Sequence, residues 1–180
     1  MPEAQATRPW APPSGPLGEL TALSRQRARE SQLARAELEV MAAAAAPAPD
    51  FAAALRREQV AVIAELKRSS PSKGQLDAGL DASARTRIYE QGGAAALSIL
   101  TEPTRFGGSL ADLRDARAAV QIPLLRKDFV TDEVQVLEAR AYGASAVLLI
   151  ARALAPEALA ALAAAVLRTG MTPLIEVRSE

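Results

Sequence analysis

Four ionisable residues stand at the ends of short apolar segments and have the types needed for acid–base chemistry. Glu65 and Lys67 end the first such segment, Lys127 follows the third, and Glu176 lies in the fifth. The chain contains neither His nor Cys, which excludes thiol nucleophiles, serine–histidine–aspartate triads and His- or Cys-ligated zinc within it. Proton transfer is therefore left to Glu, Asp, Lys and Tyr.

The use of lysine strengthens this pattern. Only three of the 21 basic residues are Lys, and two of these, Lys67 and Lys127, stand at segment ends. Lys can lose its proton when it is desolvated, whereas Arg effectively cannot, so this bias fits a proton donor. A salt-bridged rim explains any one of the four residues equally well, but the four together favour function.

The segment that follows Lys67, residues 68–74, reads RSSPSKG. Its Ser, Lys and Gly residues offer hydroxyl, ammonium and amide donors, which suit an anionic ligand at the end of a strand. The glycine spacing is not that of a Walker loop. On composition alone, a surface turn is the stronger explanation.

These residues must be positioned by alternating strands and helices. Strands are predicted at residues 60–66, 94–100, 123–126, 144–150 and 173–177, with helices at 81–91, 109–120, 131–142 and 156–168 between them. Helix starts are marked by Asp, Ser or Thr caps and by Pro, and several helix ends by Gly. Short, almost wholly apolar strands are typical of a parallel sheet buried on both faces. A doubly wound open sheet and part of a (β/α)8 barrel both fit.

The barrel places the four ionisable residues together more naturally. Side chains alternate along a strand, so Glu65 and Lys67 share a face. In a barrel the odd-numbered strands contribute to common interior layers, and chemistry gathers at the carboxyl ends of the strands. The first, third and fifth strands should therefore bring Glu65, Lys67, Lys127 and Glu176 to one mouth.

The N-terminal third of the chain is organised differently. Residues 1–17 contain five prolines and are predicted to form a disordered tail. Residues 18–58 are predicted to form a helical extension, and residues 59–180 a partial barrel with strands one to five. The apolar side of the extension is predicted to contain Leu20, Leu23, Leu33, Leu38 and Met41.

Charge and hydropathy exclude two classes of partner. The chain has 21 basic and 21 acidic residues, so no basic excess supports nucleic-acid binding. No apolar run approaches the ~18 residues of a membrane span, and residues 1–17 lack the apolar core of a secretory signal. A cytoplasmic location is therefore expected.

Residues 65–72, ELKRSSPS, closely resemble the signature of the indole-3-glycerol phosphate synthase family. The likeness continues in family order from about residue 17 to the end of the chain. It includes SILTE at 98–102, Phe106 with Gly108 and Ser109, LLRKDF at 124–129, VLLI at 147–150 and PLIEV at 173–177. The helical extension resembles the segment that caps these barrels.

The resemblance implies a (β/α)8 TIM barrel that needs no metal or organic cofactor. It implies a carbon–carbon lyase of tryptophan biosynthesis acting on a small phosphorylated substrate, 1-(2-carboxyphenylamino)-1-deoxyribulose 5-phosphate. The reaction closes the indole ring and releases carbon dioxide and water, giving indole-3-glycerol phosphate.

It also implies a role for each candidate residue. Lys127 is the expected general acid, and Glu176 the base in the dehydration. Lys67 is expected to hold the substrate carboxylate and to serve as an acid in the dehydration, while Glu65 positions the lysines by ion pairing. Substrate contacts are expected from Ser70 in the loop and from an apolar slot for the anthranilate ring, formed by Phe106, Phe129 and Leu148. For the three slot residues, core packing is the alternative.

The sequence departs from the family in length. A (β/α)8 barrel typically takes ~250 residues, and only five strands are predicted here. Strands six to eight would carry further polar groups and the main phosphate-binding loops. The chain is therefore expected to be a fragment, either a truncated enzyme or the product of a split gene, and to be inactive and prone to aggregate or oligomerise alone.

Association with a missing C-terminal part, or with other tryptophan-pathway enzymes, is a further expectation. Two other interpretations stay open. One is a different barrel enzyme, such as a Schiff-base aldolase with Lys127 as the amine. The other is a half-barrel without catalytic function.

Overall fold

The computed structural model describes residues 10–70, 74–75 and 79–178. The helices within these ranges are α1 (Gly15–Ser31), α2 (Arg35–Ala44), α3 (Phe51–Leu55), α4 (Ala82–Gln91), α5 (Pro103–Phe106), α6 (Leu110–Ala119), α7 (Glu133–Ala141) and α8 (Pro156–Arg168). The strands are β1 (Ile63–Leu66), β2 (Ser69–Ser70), β3 (Gly74–Gln75), β4 (Ala96–Leu100), β5 (Leu124–Lys127), β6 (Ala146–Ile150) and β7 (Thr172–Glu176). Short 3₁₀ turns lie at Gln32–Ala34 and Ala151–Ala153.

The main sheet has five parallel strands in the order β1-β4-β5-β6-β7. After β1, each strand of this sheet therefore pairs with the strand of the sheet that comes before it in the sequence. A doubly wound sheet reverses its strand order at a switch point, whereas a (β/α) barrel adds every strand to the same edge. The order confirms a partial (β/α) barrel and removes the open-sheet alternative.

The three central strands of the sheet are almost wholly buried, as the apolar strands predict. All five residues of β4 are buried, and Leu97 and Ile99 pack with Leu113 of α6 in the larger core between sheet and outer helices. A smaller core on the other face joins Leu125 and neighbouring strand residues to Phe51 of α3. Each fully buried large apolar side chain contributes about 1.5–3 kcal/mol, so α3 holds the inner face of the sheet firmly.

Local capping signals are confirmed where a single residue sets the helix start. Asp50, Asp81 and Ser109 each accept a hydrogen bond from a backbone N–H in the first turn of α3, α4 and α6. For α7 the cap is Asp132, which forms a reciprocal capping box with Gln135. These caps fix where the helices begin after each strand.

The N-terminal extension differs from the prediction in two ways. Helix α1 begins at Gly15, inside the predicted tail, because Pro16 is accommodated in the first turn of a helix. The 3₁₀ turn between α1 and α2 also shifts the helical phase, so Leu33 is 93% exposed and Met41 37% exposed. Their assignment to the apolar side was wrong, and polar Ser24 is buried there instead. The boundaries at 17/18 and 58/59 remain a prediction.

The loop after β1 also contains structure that composition did not suggest. Strands β2 and β3 pair antiparallel, with Ser69 opposite Gln75 and Ser70 opposite Gly74. Residues 71–73, including Lys73 of the predicted anion-binding loop, lie outside the described residues.

The outer edges of β1 and β7 pair with no other strand among the described residues. Apolar side chains near these edges are exposed, namely Val62, Ile63, Ile175 and Val177. Such edges are templates for further strand pairing. No helix in the described part of the chain is long and apolar enough to cross a membrane.

Candidate active site

A carboxylate between two ammonium groups forms the polar centre of the sheet's carboxyl end. Glu65 accepts hydrogen bonds from Lys127, with Nζ to Oε2 at 2.6 Å, and from Lys67, with Nζ to Oε1 at 2.7 Å. Lys67 lies two residues beyond Glu65, on the same face of the chain. The side chains are 28–39% exposed, so the three groups lie at the surface of the mouth.

Two opposing effects act on the pKa of Glu65. Partial burial raises the pKa, but the hydrogen bonds and charges of Lys127 and Lys67 outweigh this effect and hold the pKa below its ordinary value. The carboxylate is therefore ionised at neutral pH and aligns both ammonium groups.

Beside this centre lies an apolar slot, a cavity of about 360 Å³ between the strand ends and the start of α1. Phe106, Phe129 and Leu148 line it, together with Lys127 and Glu176. The two phenylalanine rings have centroids 6.5 Å apart and are tilted by 36°. A flat apolar group in the slot would therefore lie within reach of both a cation and a carboxylate.

A second cavity, of about 500 Å³, opens on the inner face of the sheet. Glu65 lines it, and Lys127, Glu176 and Leu148 line both cavities. The structure thus places Glu65, Lys127 and Glu176 around two neighbouring cavities that share three lining residues.

Phe106 is positioned by a buried carboxylate. Glu102 is completely buried and accepts hydrogen bonds from the backbone N–H groups of Thr104, Arg105 and Phe106, which cap α5. Close chain packing follows at Gly108, where an added Cβ would lie 2.1 Å from the carbonyl oxygen of Leu100. Only glycine fits there, so the close approach of the two backbone segments explains why position 108 is Gly.

Phe129 is positioned from both sides of its backbone. Its N–H donates to Asp128 Oδ1 at 2.8 Å, and its carbonyl oxygen accepts from the hydroxyl of Ser24 in α1. Asp128 also accepts from Arg27 of α1 at 2.8 Å and from Arg126 at 3.3 Å. Helix α1 is therefore joined to the strand end that carries Lys127.

A family model for indole-3-glycerol phosphate synthase matches residues 18–180. The chain belongs to the indole-3-glycerol phosphate synthase family. It is 53% identical over 152 residues to the synthase of Streptomyces griseus and 54% identical over 152 residues to synthase 2 of Streptomyces coelicolor. It is 52% identical over 153 residues to the synthase of Rhodococcus jostii.

These alignments cover 84–85% of this chain but 56–59% of the relatives. The chain thus spans somewhat more than half the length of the curated relatives it matches. The family match supports the partial barrel, whose described strands number five in the main sheet.

Two of the candidate residues line neither of the two cavities. Lys67 reaches the mouth through Glu65 and lines neither of the two cavities described above. Ser70 is buried in the β2–β3 hairpin and also lines neither. Arg68 of the same loop bonds to Asp112 and to the carbonyl oxygen of Leu80, so it ties the loop to the outer layer.

Sequence reasoning missed several residues at the slot. Arg152 and Arg178 line it from just beyond β6 and β7, and Ser14 and Leu17 line it from the start of α1. The sequence did contain a signal for the arginines, because Arg152 lies two residues after the predicted fourth strand and Arg178 one residue after the predicted fifth. For α1 no local signal existed, because its contact with the mouth depends on how the extension folds back.

Proposed function

We propose that this chain carries the ring-binding and acid–base part of an indole-3-glycerol phosphate synthase. The substrate is 1-(2-carboxyphenylamino)-1-deoxyribulose 5-phosphate, as for the family. One observation carries the proposal: the ammonium group of Lys127, aligned by Glu65 at 2.6 Å, faces an apolar slot lined by two phenylalanines. That is the combination needed to hold an aromatic ring while protonating a carbonyl beside it.

The first step forms the new carbon–carbon bond. With the anthranilate ring packed against Phe106 and Phe129 in the slot, the ring carbon that bears the carboxylate attacks the ketone carbon of the sugar chain. Lys127 donates a proton to the ketone oxygen, which becomes a hydroxyl. Loss of carbon dioxide from the attacked ring carbon then restores the aromatic ring.

The second step removes water. Glu176 lines the same cavities as Lys127 and is exposed, without a hydrogen-bond or ion-pair partner among the described residues. It accepts a proton as the hydroxyl departs, while Lys67 supplies the proton that makes the hydroxyl a water molecule. Lys67 is also proposed to contact the substrate carboxylate, and Ser70 to contact substrate from the hairpin.

The hydrogen bond between Lys127 and Glu65 argues against a Schiff-base aldolase. A Schiff base needs a lysine nitrogen that is free to attack a carbonyl, whereas Lys127 Nζ is held by Glu65 Oε2 at 2.6 Å. Borohydride with a carbonyl substrate should therefore trap no adduct at Lys127. Recovery of a reduced adduct at that residue would favour the aldolase.

We further propose that turnover needs strands that this chain does not supply. The exposed apolar edges of β1 and β7 suit pairing with additional βα units, and the relatives are longer than the region they share with this chain. The chain alone should show negligible turnover and should aggregate or oligomerise. Robust turnover by a purified 180-residue monomer would contradict this.

The test of function joins the chain to the remaining C-terminal part of the Streptomyces griseus relative. The hybrid should convert the carboxyphenylamino substrate to a product with indole fluorescence. Lys127→Ala should lower kcat by about 10²–10⁴-fold, the usual contribution of a general acid. Arg114→Ala, on the outer helix α6, is the matched control and should leave kcat unchanged.

An active Lys127→Ala hybrid would refute the role of Lys127, and a wild-type hybrid without turnover would refute the proposed function. We propose a cytoplasmic location, because a multiply charged phosphorylated substrate does not cross a lipid membrane unaided. Association with other tryptophan-pathway enzymes remains a proposal.

A further inference from the structure

Two arginines line the slot from just beyond the ends of β6 and β7. On adjacent strands, Ile150 of β6 pairs with Glu176 of β7, and both residues line the slot. Arg152 and Arg178 follow these paired residues by two positions each and line the same cavity. Both are exposed, and neither has a hydrogen bond or an ion pair within the described part of the chain.

The other cations near the slot already have acidic partners. Lys127 and Lys67 share Glu65, and Arg27 is paired with Asp128. Among the described residues that line the slot, the charges without a partner are therefore those of the two arginines and of Glu176. This leaves a net positive rim, which attracts an anion.

The apolar lining of the slot indicates which class of anion it can bind. Its walls are largely apolar, with Leu100, Phe106, Phe129 and Leu17 among the lining residues. Such walls favour a flat hydrocarbon group over a bare inorganic ion. The planar guanidinium group of Arg can donate two parallel hydrogen bonds to the two oxygens of a carboxylate. The ammonium group of Lys, a compact point charge, lacks this geometric match.

We propose that Arg152 and Arg178 bind the carboxylate of an aryl carboxylate whose ring packs against Phe106 and Phe129 in the slot. The inference rests on the proposed function for the identity of the ring. In that reaction the carboxylate is the group lost as carbon dioxide, and the arginines hold it before it leaves. The arginines thus act on the carboxylate that Lys67 is also proposed to contact, and Lys67 serves as the acid in the dehydration.

Direct binding tests the proposal without turnover. Anthranilate and its neutral methyl ester are titrated into the hybrid of this chain with the C-terminal part of the Streptomyces griseus relative, and the intrinsic fluorescence of each ligand reports binding. The wild type should bind anthranilate at least ten-fold more tightly than the ester. In Arg152→Ala/Arg178→Ala the affinity for anthranilate should fall at least ten-fold, while that for the ester changes less than two-fold.

Two further variants separate charge position from net charge. Arg114→Ala removes a cation from the outer helix and should leave both affinities within two-fold of wild type. Arg152→Lys keeps the charge but removes the fork, and should recover only part of the affinity for anthranilate. Because the replaced side chains are exposed, unchanged circular dichroism melts will show that each variant keeps its fold.

The proposal is overturned if the double variant binds anthranilate as the wild type does. It is equally overturned if the wild type binds the ester as tightly as the acid, or binds neither. Turnover by the hybrid enzyme is a separate readout. If the hybrid turns over substrate but binds anthranilate equally well without the two arginines, only this inference is refuted. If binding depends on the arginines but the hybrid shows no turnover, only the proposed function is refuted.

Discussion

Asp128→Asn is the substitution that most directly tests the buried charges behind the mouth. Asp128 is 2% exposed and Arg126 is also 2% exposed. One carboxylate oxygen accepts from Arg27 and from the N–H of Phe129, and the other from the hydroxyl of Thr101 and from Arg126. Asparagine keeps the size and one acceptor, but it turns an amide donor toward one of these donor pairs and removes the charge.

The expected loss can be worked from these contacts. A hydrogen bond to a charged group contributes about 1.5–3 kcal/mol, and removing one member of a buried ion pair costs about 3–5 kcal/mol. Arg126 keeps Glu138 as a partner at 2.8 Å, which places the loss at the lower end, about 3 kcal/mol. For a chain of this length, each kcal/mol lowers the melting temperature by about 2–4 °C, so Tm should fall by about 6–12 °C.

Thermal and urea unfolding, followed by far-ultraviolet circular dichroism, measure this loss. Asp115→Asn is the matched control, because Asp115 makes a similar 2.9 Å pair with Arg114 but its side chain is 44% exposed. Its loss should stay within about 0.5 kcal/mol. A Tm for Asp128→Asn within about 2 °C of wild type, or equal losses in the two variants, would refute the reasoning.

Two further predictions concern residues that shape the mouth. Gly108→Ala should destabilise the chain by about 3 kcal/mol, since the added methyl group meets the backbone at Leu100, and unfolding by urea measures this. A mutant as stable as the wild type would show that the backbone at Leu100 moves without cost, which would contradict the prediction. Glu65→Gln should lower the free energy of unfolding at pH 7 by about 1 kcal/mol, a small value because the pairs with Lys127 and Lys67 are partly exposed. Because the folded-state pKa of Glu65 is lowered, its stabilisation is present above the ordinary value of 4.5 and is lost as the pH falls through the folded-state pKa. The difference between wild type and Glu65→Gln should therefore shrink as melts are repeated at lower pH; a constant difference would contradict the assignment.

Much of the barrel could be predicted because its signals are local. The caps Asp50, Asp81 and Ser109 act within one helical turn, and the predicted strands agree with the observed ones to within a few residues. In the N-terminal extension, helical periodicity predicted the wrong buried face, because Leu33 is exposed and Ser24 is buried. There the buried face is set by where α1 meets the barrel, and periodicity within the helix does not contain that information.

By itself, the sequence determined the family signature, the parallel strands and the residue types available for acid–base chemistry. Only the tertiary structure decided which of them meet. Lys127 and Glu65 are 62 positions apart and bond at 2.6 Å, and Arg27 and Asp128 are 101 positions apart and bond at 2.8 Å. The pairing of β6 with β7 likewise places Arg152 and Arg178, which follow these strands, at the same cavity. Such pairs depend on strand order and on the folding back of α1, which side-chain type and spacing along the chain do not encode.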